Sequence, residues 1–208
     1  MKPIAYFESV WARCDELTAM HAYLANQLTP ALRPDELLRA EWVARVSALD
    51  LYVHELVAQG MMEIFEGRRK PSTAFLRFQL SNEVLLRIRA TTQSEVASSA
   101  YDFEVRSRLG LSTYQEPEKI ADGIRLISDI SLWNSIVTKL GSTPASMDKD
   151  AKVTKRGLSL IVERRNKIAH EGDLQPSVPR TPWPIAQADL QYVASFIRRI
   201  VDTIDQIV

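Results

Sequence analysis

Apolar residues recur every three or four positions along most of the chain, and this spacing restricts the fold more than any other feature. Over residues 5 to 28, Phe7, Val10, Cys14, Leu17, His21, Leu24 and Leu28 fall on one face of a helix. Pro30 and Pro34 interrupt that run, and Pro34-Asp35-Glu36 then opens a second helix, with a proline suited to the first turn and acids favoured by the helix dipole. This second helix is expected to reach about Gly60. Its stripe is Leu38, Trp42, Val46 (or Arg45), Leu49, Val53 and Leu56, and Asp50 and His54, four apart, share a flank beside it. No segment carries the sustained period-two alternation of a half-buried strand.

Further along, Gly67-Arg68-Arg69-Lys70-Pro71 reads as a basic turn. Ala74 to Thr92 and Glu95 to Leu109 are the next two expected helices, the first broken near Ser81-Asn82 by a capping-type sequence, and Gly110 closes them. From Pro117-Glu118-Lys119 one or two helices run through Ile120, Ile124, Ile127, Ile130, Trp133, Ile136 and Leu140 to Gly141. A polar connector, Ser142 to Lys149, leads into a helix over about 151–170, and a Pro-rich loop, Gly172 to Pro184, leads into a last helix over about 186–208. With no internal repeat and no biased linker, the 208 residues are expected to form a single all-α domain.

Charge and composition exclude several functions. Twenty-six basic residues balance 26 acidic ones, so any nucleic-acid contact must come from a local patch rather than from net charge. Arg68, Arg69, Lys70, Arg87, Arg89, Arg164, Lys167, Arg198 and Arg199 are the candidates for that patch, and a turn of exposed charge is the plain alternative. The single cysteine, Cys14, forms no internal disulfide, and no signal-like segment opens the sequence, so a reducing cytoplasm is the expected location. Charges interrupt every apolar stretch well short of the ~20 residues a membrane span needs. Three histidines without metal-ligand spacing, and seven scattered glycines, give no reason to expect a metal, a phosphate loop or another cofactor.

The chemistry-bearing stretch is Leu160 to Asp173. Leu158, Ile161, Val162, Ile168 and Ala169 are expected on its buried side, while Glu163, Arg164, Arg165, Asn166 and Lys167 crowd around His170 near the helix end. Asn166 and His170 are four apart, about 40° around the helix, and share a face. Arg165 is five before His170, about 140° away, so a long side chain, a distorted last turn or a second subunit is needed to bring guanidinium and imidazole together. These three residue types suit phosphodiester cleavage without a metal. Arginine forks onto two phosphate oxygens and stabilises charge growing in the transition state. Histidine, with an ordinary pKa near ~6.5, takes a proton from a ribose 2′-hydroxyl or gives one to the leaving oxygen, and asparagine orients either group. The plain alternative is a solvated helix end whose cations complement the dipole.

Arg165-Asn166-Lys167-Ile168-Ala169-His170 resembles the HEPN signature of an arginine, a polar residue, any three residues and a histidine. Ala48 to Glu55, Pro117 to Asp122, and Arg164 to Asp173 followed by Trp183-Pro184-Ile185 look like the RiboL-PSP-HEPN family, over most of the chain from about residue 40. The resemblance implies an all-α HEPN-like bundle that forms a homodimer, with two signature helices lining a shared cleft. It also implies RNase activity on an RNA substrate and work as a toxin or antiviral defence effector, with a regulatory or defence-system protein as partner. HEPN toxins controlled through tyrosine modification carry a histidine, any residue and a tyrosine. Here Glu171 and Gly172 follow His170, so that form of control is not expected.

Arg165, His170 and Asn166 are therefore the expected catalytic residues, with Arg164 and Lys167 as RNA contacts. Asp50 and His54 are candidate supports, the carboxylate fixing an imidazole tautomer, and a structural pair at the bundle surface is the equal alternative. Glu171 is a third support, placed to keep His170 cationic unless solvent screens it. His21 is expected in the core or an interface, as are Trp11, Trp42, Trp133 and Trp183. A non-catalytic RNA-binding or protein-assembly module is the competing function.

Overall fold

The computed structural model describes residues 2–27 and 34–208, so Leu28 and Pro30 lie outside the described part. Eight α-helices occur there: α1 (Pro3–Gln27), α2 (Asp35–Phe65), α3 (Asn82–Ala90), α4 (Ser94–Leu109), α5 (Pro117–Arg125), α6 (Leu132–Lys139), α7 (Met147–Glu171) and α8 (Gln187–Ile207). The fold is all-α, with no strand among the described residues.

Helix α2 is the spine, packing against α1, α4, α5, α7 and α8. Its predicted stripe is buried at Leu38, Val46, Leu49 and Val53, and burial extends to Ala48, Tyr52, Val57, Ala58 and Met61 on other sides. A helix surrounded in this way cannot be amphipathic, which is why one stripe did not describe it. The Tyr52 hydroxyl donates to Asp205 at 3.2 Å and joins the spine to α8. On α1, Phe7, Trp11 and Cys14 are buried, and burial pushes the Cys14 thiol up to about 11 against the opposing pull of Arg45.

Helix α2 does not stop at Gly60. It runs to Phe65, because Gly60 serves close packing: a β-carbon there would sit 2.7 Å from Ile127 Cγ2. The turn falls at Gly67, whose φ of +74° suits glycine. The expected break at Ser81-Asn82 is present, with Ser81 Oγ accepting from the Val84 amide at 3.3 Å to cap α3, while Phe75–Arg77 upstream form only a 3₁₀ turn. Two helices, α5 and α6, follow Pro117. Helix α7 begins at Met147, inside the expected connector, with Asp148 and Asp150 in a first turn where acids favour the helix dipole.

Candidate functional site

Helix α7 carries the signature and is gripped by α2 near its middle, where Trp42 Nε1 donates to the Ile161 carbonyl at 3.0 Å. Leu158, Ile161 and Val162 are buried as expected. Ile168 is only half-buried and Ala169 is exposed, so the expected apolar side does not continue to the helix end. The last turn projects past the core, leaving His170 and Glu171 in solvent.

Within the trio, Arg165 Nη1 donates to Asn166 Oδ1 at 3.0 Å, and both residues are half-buried. Arg165 Nε is buried without a partner. Among the described residues no hydrogen bond or ion pair joins His170 to Arg165, which agrees with their separation of about 140° around the helix, and none joins it to Asn166 although those two share a face. Lys167 and Glu171 are exposed beside the histidine. Arg165, Asn166 and His170 thus share one helix end, but the guanidinium and imidazole are not brought together within the chain.

Immediately beyond, Gly172 adopts the left-handed conformation that ends the helix, and Asp173 follows with φ of +55°. A non-glycine residue held there costs on the order of 1–3 kcal/mol, which the surroundings must offset. Asp173 is fully buried. Its Oδ2 accepts from Arg39 Nε at 3.0 Å and from Arg164 Nη2 at 2.7 Å. Arg164 also donates to the Pro184 carbonyl at 3.2 Å and lies over the Trp42 ring. Arg164, an expected RNA contact, is therefore bound into an internal cluster and half-buried. Neither Asp173 nor Arg39 is among the residues expected at the site from the sequence. Gly172-Asp173, two residue types that tolerate positive φ, was the available signal for the first, whereas Arg39 lies 134 positions away and has no local signature.

Asp50 and His54 meet, with Asp50 Oδ1 3.7 Å from His54 Nε2. Asp50 also accepts from the Tyr114 amide and, at 3.1 Å, from Gln115 Nε2, while the His54 ring packs edge-on against Tyr114 with centroids 4.6 Å apart. The pair fixes the loop leading into α5 and makes no hydrogen bond or ion pair to Arg165, Asn166 or His170. That loop ends at Glu116, whose carboxyl is raised above the usual glutamate range by burial and by the nearby Glu163 of α7. His21 is buried, with Nε2 3.9 Å from Asp35.

Several expected patch cations are internally paired: Arg68 with Glu66, Arg69 with Glu63, Arg87 with Glu83, and Arg198 with Glu8 and Asp202. No group of three or more His, Cys, Asp or Glu side chains is placed to hold a metal among the described residues. Val153, Leu160 and Lys167 are seven apart, a stripe along the solvent side of α7 that ends beside His170. Val153 and Leu160 are exposed, as is Tyr192 on the adjoining α8, drawn close because Gly157 gives the Phe196 ring room against α7.

The family model for RiboL-PSP-HEPN matches residues 12–208. The chain belongs to the RiboL-PSP-HEPN family. No curated protein and no solved structure is matched by the chain. The family match reaches back into α1, further than the motifs legible from residue 40, and includes α7 with the whole HEPN signature. No described helix is long and apolar enough to cross a membrane.

Proposed function

We propose that this RiboL-PSP-HEPN protein is a metal-independent endoribonuclease, cleaving RNA by attack of its own 2′-hydroxyl, with Arg165 and His170 acting across the cleft of a homodimer. The observation that carries this reading is the exposed last turn of α7. It presents His170 to solvent beside Lys167, with the half-buried Arg165 held by Asn166 on another side of the same helix end. The exposed stripe through Val153 and Leu160, flanked by Tyr192, is apolar surface of the kind a second subunit covers, and it leads to the histidine. Packing two copies along it would bring their signature helix ends together, and Arg165, about 140° around α7 from Leu160, would reach the shared cleft only through its long side chain.

In the reaction, His170 takes the 2′-hydroxyl proton and the 2′-oxygen attacks phosphorus. The bond from phosphorus to the 5′-oxygen breaks, that oxygen takes up a proton from solvent, and a 2′,3′-cyclic phosphate remains. Arg165 forks onto the non-bridging oxygens as charge builds there. Lys167 supplies further attraction for the phosphate backbone. The resemblance to HEPN proteins supports a role as a toxin or antiviral defence effector under a partner protein, and the lone cysteine, Cys14, fits a reducing cytoplasm. The internal Arg165–Asn166 bond favours a second reading, an RNA-binding or assembly module without turnover. Incubating the purified protein with labelled total RNA in EDTA separates the two: endonucleolytic products support the first, and retention without cleavage supports the second.

A further inference from the structure

The turn that displays His170 has no core packing of its own, so what fixes its orientation lies at its two ends. One end is the body of α7. The other is Asp173, three residues past the histidine, whose amide donates to the Lys167 carbonyl at 3.0 Å and so closes the turn on itself. The Asp173 carbonyl accepts from the Trp183 amide at 2.8 Å, and Arg39 Nη2 donates to the Trp183 carbonyl at 2.7 Å. One carboxylate with two arginines thus ties α2, the last turns of α7 and both ends of the Pro-rich loop.

Stability alone is a poor reason for such a cluster. A buried ion pair often contributes no more than apolar side chains of equal size, because desolvation cancels the attraction. This one also leaves Asp173 Oδ1 and Arg164 Nε buried without partners, and holds Asp173 at positive φ. Unsatisfied groups and strained backbone persist where geometry matters more than energy.

We infer that Asp173, held by Arg39 and Arg164, is the positioning residue for His170, setting the angle at which the last turn of α7 presents the imidazole to the scissile phosphate. The inference rests on the ribonuclease reading. Asp173→Asn keeps the shape and the tolerance for positive φ but removes the charge that holds the two guanidinium groups. Arg39→Lys keeps a charge but cannot hold Asp173 and the Trp183 carbonyl together.

Each variant is assayed for kcat and KM on RNA and for the His170 imidazole carbon-bound proton resonance at fixed pH, with folding checked by circular dichroism. Both variants are expected to fold at room temperature, with kcat down about tenfold to 100-fold, KM unchanged, the His170 resonance displaced and the His54 resonance unmoved. Wild-type kcat in a folded variant, or a drop in kcat with an unmoved His170 resonance, overturns the inference. If neither variant folds, the cluster is a requirement of the fold and the inference also fails. If the wild-type protein cleaves no RNA, the ribonuclease reading is what fails, and the His170 resonance still decides whether the cluster holds that turn.

Discussion

Arg165 Nη1 donates to Asn166 Oδ1 at 3.0 Å, so the signature arginine rests on its neighbour and not on His170. The two groups that the proposed cleavage would use stand apart on one helix end, and each is separately testable.

Replacing His170 with alanine is expected to lower the cleavage rate by about 10²-fold to 10⁴-fold, the loss typical of a general acid or base. The side chain is exposed, so thermal melting should stay within the small range usual for surface substitutions. Arg165→Ala should be similarly damaging. Arg165→Lys should recover little, because an ammonium cannot fork onto two oxygens. Initial rates on a labelled RNA check all three.

Mixing subunits tests where the arginine acts. A heterodimer of one Arg165→Ala chain and one His170→Ala chain retains one complete pair if the groups face each other across two chains, and none if they act within one. Co-refolding the two inactive proteins is expected to restore cleavage, up to about half the wild-type rate for symmetric, independent sites. Mass spectrometry confirms that heterodimer is present, and its inactivity would place the working pair elsewhere.

Gly60→Ala sets two effects against each other. Alanine gains about 1 kcal/mol in helix propensity, but its β-carbon would meet Ile127 Cγ2 at 2.7 Å and Cβ at 2.9 Å, atoms near the backbone that cannot swing aside. Overpacking of this kind costs about 1–3 kcal/mol, so net destabilisation is expected, read as a lower urea midpoint with an unchanged slope.

Glu116→Gln tests the electrostatics of the loop beside α7. Burial and Glu163 raise the Glu116 pKa in the folded chain, so its contribution to stability is fully present below the unfolded value near about 4.3 and is lost as pH rises through the folded value. The variant, unable to ionise, should therefore melt relatively higher at neutral pH than in acid when compared with wild type. Melting curves that differ equally at both pH values would contradict this.

Helix existence was legible because the apolar spacing is local, and Ser81-Asn82, Pro117 and Gly172 mark real boundaries. Gly60 misled because sequence does not distinguish a glycine that ends a helix from one that admits a neighbouring side chain, here Ile127 from 67 positions away. The grouping of Arg165, Asn166 and His170 at one helix end was readable from spacing, as was the contact between Asp50 and His54. The partners of Asp50 were not, because Tyr114 and Gln115 arrive from a distant loop. Arg164 looked like a free cation only because Asp173 and Pro184 reach it through a turn and a loop whose path spacing does not encode.

In the proposed reaction RNA supplies its own nucleophile at a site built from Arg165 and His170. The most direct measurement compares two oligonucleotides in EDTA, identical except for ribose or 2′-deoxyribose at the cleaved position, with the product ends identified by mass spectrometry. Cleavage of the ribose substrate alone, leaving a 2′,3′-cyclic phosphate, is the predicted result. Equal cleavage of both, or activity lost in EDTA and restored by magnesium, would contradict it.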